Sequence, residues 1–306
     1  MTITWRFWGL VLKGLKNMRY HEPVFRPPSE AESFILQVTY GCTHNKCTFC
    51  AMYREKKFRV RPFEEVREDI QEAAGLVPHT RRVFLADGDA MVLKASKLLQ
   101  ILEALDQAFP ALERVGIYAD SKGILSKSDD ELQSLRERKL SMVYLGLESG
   151  CDEVLQKLEK GATASEMTLA IHRVKKARIQ TSVIALLGAG GRLLSQKHAK
   201  ETARVVSEMS PDFFSALTLT LVPGTPLAAA VERGEFEPLS PGEALTELGQ
   251  MLAQISPASS VTFRTNHASN YVPLRGRLPE DKEEILKTLQ WAIENHALRP
   301  EWMRGL

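Results

Sequence analysis

Short apolar runs alternate with amphipathic stretches along most of the chain, and this alternation restricts the fold more than any other feature. Residues 34–39, 82–86, 114–119, 142–147, 181–187 and 213–221 read as strands. They are near-continuous apolar runs, as in sheets covered on both faces. Between them, residues 62–74, 95–108, 128–139, 165–177, 195–209 and 241–255 place apolar side chains at helical spacing. Local punctuation agrees. Pro62 opens the first helix and Gly75 follows its end, Pro110 stops the second, and Ser128 with Glu131 forms a capping box. Six strand–helix units with short connections predict an α/β fold with a parallel sheet and helices outside. Six units are too few for a closed eight-stranded barrel, so a partial, TIM-like (β/α)6 barrel is expected. One further pair, residues 261–265 and about 280–295, differs in character and reads as a C-terminal α/β extension. The repeat of roughly 35 residues is βα repetition and not a solenoid.

Three of the four cysteines fall within nine residues, directly after the first strand. Cys42, Cys47 and Cys50 form a Cys-x4-Cys-x2-Cys pattern. Thiolates this close can converge on one metal centre, and thiolate is the soft ligand that iron–sulfur clusters take. Three ligands on a four-iron cube leave one iron open for chemistry. The alternative is zinc, with His44 completing a Cys3His set, although such sites usually draw ligands from two separate elements. Cys151 stands alone and reads as a half-buried loop thiol; no second cysteine set marks an auxiliary cluster.

Composition excludes several classes. The chain has 306 residues, 44% apolar and 25% charged, with a net charge of +2. That is ordinary globular composition with length for a large core. The small net charge indicates neither a nucleic-acid nor a membrane partner. Four cysteines make no disulfide framework, so a reduced, cytoplasmic setting is expected. Residues 3–13 are partly apolar but interrupted by Arg6 and Lys13, and read as an N-terminal helix or cover segment. The expected division is a cover over residues 1–30, a core over 31–226, and an extension over 227–306 that completes the barrel and closes its substrate side.

The cysteine loop after a first strand, with the βα order that follows, resembles the radical S-adenosylmethionine (radical SAM) superfamily. The usual spacing there is Cys-x3-Cys-x2-Cys; this chain has one residue more between the first two cysteines. Cys47-Thr48-Phe49-Cys50 keeps the Cys-x-aromatic-Cys form. The stretch Gly146-Leu147-Glu148-Ser149-Gly150, followed by Lys160-Gly161, is similar to the branch containing oxygen-independent coproporphyrinogen oxidases, methylthiotransferases and elongator-type enzymes. The resemblance implies a [4Fe–4S] cluster on Cys42, Cys47 and Cys50. Its open iron would chelate S-adenosylmethionine (SAM), whose reductive cleavage yields a 5′-deoxyadenosyl radical that abstracts hydrogen from an organic substrate. It also implies a flavodoxin- or ferredoxin-type electron donor.

Further cofactor contacts follow from position at the strand ends, where barrels bind ligands. Phe49 is expected against the adenine. Asp87, Gly88 and Asp89 stand where the family contacts the SAM amino group. Glu148 and Ser149 fall at the SAM pocket, with Lys160 reaching the carboxylate. Asp120 and Ser121 end the third strand, and Gly188 opens a glycine-rich turn near the adenine. Each has an ordinary reading beside it: an Asp-Gly turn, a helix-entry residue, a lysine at a helix end.

Two regions bear on the substrate, expected to be a small molecule or peptide. Arg264, Asn266, His267, Asn270 and Tyr271 crowd a polar segment that is able to close the open side of the barrel, or simply to tie the last helix down. The basic run 54–61 suits an anionic substrate, an acidic donor or nucleic acid, but reads more simply as a solvated loop. Rival functions are a coproporphyrinogen-oxidase-like role in tetrapyrrole metabolism, for which a fourth loop cysteine is missing, and a non-catalytic zinc or scaffold protein.

Overall fold

A computed structural model describes residues 18–304. The expected helix or cover at residues 3–13 lies outside the described residues. An eight-stranded sheet organises the molecule, in the order β1 (Phe34–Gln37), β4 (Arg82–Ala86), β5 (Arg114–Ala119), β6 (Leu140–Glu148), β7 (Gln180–Leu187), β8 (Phe213–Thr218), β9 (Val261–Arg264) and β10 (Arg275–Leu278). All neighbours run parallel except β10, which is antiparallel to β9. Among the described residues β1 pairs only with β4 and β10 only with β9, so the sheet curls without closing. A small antiparallel ribbon, β2 (Thr39–Tyr40) with β3 (Arg59–Val60), stands apart from it.

The two faces are apolar for different reasons. On the outer face Leu36, Leu85, Ile117, Val143 and Val183 pack under the helices, against residues such as Ile70, Leu98, Leu102, Ile171 and Val206. On the inner face Phe84, Ala86, Met142 and Tyr144 form a second cluster with Ile35, Tyr118, Phe213 and Val24. The rings of Phe84, Tyr118 and Tyr144 meet edge to face, with centroids 4.8 to 6.3 Å apart, the arrangement that aromatic quadrupoles favour. Tyr144 donates to the buried Glu30, which also holds Arg114 at 2.8 Å. The segment ahead of β1 is thereby fixed to the inner face.

Most expected elements are present with small shifts at their ends. Capping boxes at Ser128, Thr163 and Ser240 set three helix starts. Some expectations are corrected. The strand expected over 34–39 divides at Val38, and Thr39, together with Tyr40, pairs with β3 instead of joining the main sheet. The strand expected to reach residue 221 ends at Thr218, where the side chain of Asn270 takes over the Thr218 amide. β10 and the short helices Ser121–Leu125, Asp152–Lys157 and Pro226–Glu232 were not expected. No described helix is long and apolar enough to cross a membrane.

Candidate active site

The cysteine loop lies at the C-terminal rim of the sheet and is fastened to it at several points. The Asp87 carboxylate, just beyond β4, accepts the Gly41 amide at 2.9 Å, and the Gly88 amide donates to Gly41 O at 3.2 Å. Thr43 Oγ1 donates to Asp89 Oδ2 at 2.7 Å. Asn45 Nδ2 reaches Tyr53 O, and the Thr48 amide reaches Leu158 O. Arg54 donates to the carbonyls of Cys47 and Cys50, at 2.7 Å each. Gly88 is required by space: a Cβ there would stand 2.8 Å from both Cys42 Cβ and the Tyr53 ring.

Only part of the basic run is the solvated loop expected of it: Arg54, Lys57 and Arg59 are exposed, but the other two cations are not. Lys56 and Arg61 are 3% and 2% exposed. Lys56 Nζ sits 3.1 Å from Asp87 Oδ2 and donates to His21 O and Pro23 O. Arg61 pairs with Asp69 at 2.7 Å. These charges are buried because each has an internal partner.

All three cluster-type cysteines are free and half-buried. Burial pushes their thiols up, Cys47 to about 12, against the pull of Lys160. A cationic iron centre offsets that cost, since a coordinated thiol is deprotonated. The donor set therefore fits a cluster. It fits zinc poorly: His44 is engaged with Glu159 O, and among the described residues no three His, Cys, Asp or Glu side chains gather tightly enough for a single ion. A [4Fe–4S] cluster would take Cys42, Cys47 and Cys50 as thiolate ligands to separate irons.

Beside the loop, Glu148 ends β6 with a left-handed φ of 59°. Its Oε1 lies 3.0 Å from Lys160 Nζ. Burial alone would lower the Lys160 ammonium, but Glu148 and Cys47 outweigh it and hold it above its ordinary value. A fixed positive and a fixed negative group thus stand together beside the cysteines. Phe49 packs with Val154, Leu158, Leu186 and Ala189 at the ends of β6 and β7.

Other expected contacts are placed differently. Asp87 and Asp89 are buried and turned into the loop. Burial raises both carboxyls above their ordinary range, Asp87 despite its bonds to Gly41 and Lys56. Both therefore position the cysteine loop. Asp120 caps its own helix by accepting the Lys122 amide at 2.8 Å. Ser121 is buried, and its hydroxyl has no partner among the described residues. Asn270 is saturated internally, accepting from Thr218 and donating to Ala216 O and Thr265 O. His267 bonds Ser269 within its own loop. Asn266 and Arg264 are exposed. Tyr271 stacks under the Arg304 guanidinium at 3.9 Å and, with Gly188, lines a cleft of about 320 Å³ between the β7–β8 rim and the C-terminal segment.

A buried polar chain behind the rim was missed in the sequence. Ser149 Oγ and His198 Nδ1 lie 2.8 Å apart, His198 Nε2 is 3.7 Å from Glu247 Oε1, and that oxygen accepts the Gly188 amide at 2.6 Å. Burial raises Glu247 to about 7 and lowers His198 to about 4. A signal was available: Glu247 occupies the same helix face as the buried Ala244, Leu248 and Met251.

The comparisons with known proteins decide the family. The model of the radical SAM superfamily matches residues 36–204, more than half of the chain. The chain belongs to the radical SAM superfamily. As a radical SAM protein it is an enzyme whose cofactors are a [4Fe–4S] cluster and SAM. It is 26% identical over 221 residues, 67% of its own length, to a tRNA-2-methylthio-N(6)-dimethylallyladenosine synthase of Sodalis glossinidius, and 28% identical over 211 residues to that of Alkalilimnicola ehrlichii. It spans 44% and 46% of those proteins, less than half of their length. Its fold is similar to coproporphyrinogen III oxidase from Escherichia coli, with a TM-score of 0.57, 17% identity, and coverage of 72% of this chain and 51% of that one. It is also similar to methylornithine synthase, with a TM-score of 0.52, 16% identity, and coverage of 97% and 89%.

Proposed function

We propose that this radical SAM enzyme uses Cys42, Cys47 and Cys50 to hold the cluster and the Glu148–Lys160 pair to orient SAM, acting on an organic substrate that enters from the open side of the sheet. The observation that carries this reading is the position of the 3.0 Å Glu148–Lys160 pair beside three thiols on a tightly anchored loop. When bound, the cluster and SAM supply a 5′-deoxyadenosyl radical. The chain's own groups do the rest. Lys160 offers a cation to a carboxylate, and Glu148 offers an acceptor to an ammonium. Phe49 and the Gly188 turn present an apolar surface and an open backbone to a base. The inner aromatic cluster shields the space below from water.

The C-terminal extension, described to residue 304, continues the sheet by β9 and β10 and borders the substrate side. Relatives named for a tRNA product do not fit the expectation that no nucleic acid is involved, so an RNA substrate stands beside a small molecule or peptide. A flavodoxin- or ferredoxin-type protein is the proposed electron donor. The test is anaerobic incubation with SAM and a reductant. 5′-Deoxyadenosine should form, and alanine at the three cysteines should abolish it. Unchanged formation in that variant would sink the proposal.

A further inference from the structure

Three arginines whose side chains have no partner among the described residues share one face of the last two strands. Arg275 lies directly opposite Arg264 in the β9–β10 pair, and Arg277 lies opposite Thr262. Cross-strand partners project on the same side, as do residues two apart on one strand. Phe263 and Leu278, which alternate with them, are buried under the helices. The three guanidiniums therefore stand on the inner face. That face continues from Arg264 to Ser215, from Ser215 to Ile184, and from Ile184 to Gly146. The register shifts after Gly146, but a Cβ on Gly146 would run into the Glu148 carboxylate and stand 3.2 Å from Lys160 Nζ, so the pair lies over this face. The arginines and the proposed SAM site thus share one continuous surface.

All three are exposed, and their side chains make no hydrogen bond or ion pair among the described residues. Many arginines elsewhere take a carboxylate, as Arg81 does Glu113, Arg114 Glu30 and Arg192 Glu243. Arg67 and Arg178 are exposed without a partner among the described residues, but neither faces a second arginine across a strand pair. Residues 1–17 and 305–306 contain no Asp or Glu side chain that could balance the trio. Like charges facing each other across an antiparallel pair are destabilising. Edge-strand protection would account for Arg275 and Arg277. It does not account for Arg264, whose strand is paired on both sides.

We infer that the substrate carries phosphate groups and that Arg264, Arg275 and Arg277 bind them. This rests on the proposed function for the word substrate, while the binding itself does not. The guanidinium fork matches a phosphate bidentately. Arg275 and Arg277 stand roughly 7 Å apart along their strand, suited to separate phosphates and not to one.

The probes are inorganic tripolyphosphate and unfractionated tRNA, titrated into the anaerobically reconstituted protein at several salt concentrations. R264Q/R275Q/R277Q should weaken binding at least tenfold and reduce the salt slope for tRNA by about 2. R81Q, at an arginine already paired elsewhere, should change neither. Arginine-dependent binding of tripolyphosphate alone supports a small phosphorylated substrate, and of tRNA supports RNA phosphates. If neither probe distinguishes the triple variant from wild type, the inference fails. Iron content on the same samples separates the two readings: arginine-dependent binding by protein that takes up no iron overturns the radical reading and leaves the arginine site standing.

Discussion

Lys56 and Asp87 form a buried ion pair, Nζ to Oδ2 at 3.1 Å, that joins the end of the cysteine loop to the rim of β4. The same ammonium holds the carbonyls of His21 and Pro23, so one side chain fastens the loop, the sheet and the segment ahead of β1. Removing one member of such a pair leaves the other charge buried. K56M should lower unfolding free energy by about 3 kcal/mol or more and reduce the iron retained per chain. Urea unfolding and iron assay check this; wild-type stability would show that the pair is dispensable.

Gly88 tests the same joint through space. A methyl group at this position meets Cys42 Cβ and a buried tyrosine ring, and neither yields easily. G88A should therefore keep its far-ultraviolet circular dichroism but take up less cluster. Full iron loading would mean that the loop has slack.

The Glu148–Lys160 pair is expected to act on SAM more than on the cluster. K160M should weaken SAM binding about tenfold, the loss of one charge-assisted hydrogen bond, with iron content unchanged. Equilibrium dialysis measures it. An unaltered affinity would reduce Lys160 to a lysine at a helix end.

Stability should depend on pH through Glu247 and His198. A carboxyl raised to about 7 keeps a proton in the folded protein that the unfolded chain releases near 4.5, so its contribution falls as pH rises through that window. A histidine lowered to about 4 refuses a proton that the unfolded chain accepts near 6.5, so its contribution rises with pH between those values. The two slopes oppose each other in wild type. H198Q should expose the falling slope and E247Q the rising one, each worth about 2 kcal/mol. Urea unfolding at pH 5, 6 and 7 checks this. Flat profiles in both variants would contradict it.

The strands and helices of the core were legible because continuous apolar runs and 3.6-residue periodicity survive in the chain; Arg82–Ala86 and Ala95–Ala108 lie where the pattern puts them. β10 was not, because Arg275-Gly-Arg-Leu278 carries a single buried residue and its register comes from β9. Cys42, Cys47 and Cys50, proposed as the cluster ligands, stood out by spacing alone. The inward turn of Asp87 and the burial of Lys56 did not, since a charge run looks the same in sequence whether solvent or a distant carboxylate answers it. Pairs separated by 31 and 49 residues, Lys56 with Asp87 and Ser149 with His198, exist only once the sheet brings them together.

The most direct measurement is electron paramagnetic resonance of the anaerobically reconstituted, reduced protein with and without SAM. A reduced [4Fe–4S] signal that changes shape when SAM is added is expected, because in the proposed arrangement SAM would bind the iron that no cysteine holds. Protein that holds no iron, or a cluster signal that SAM leaves untouched, would contradict the assignment of Cys42, Cys47 and Cys50 to a cluster with one open corner.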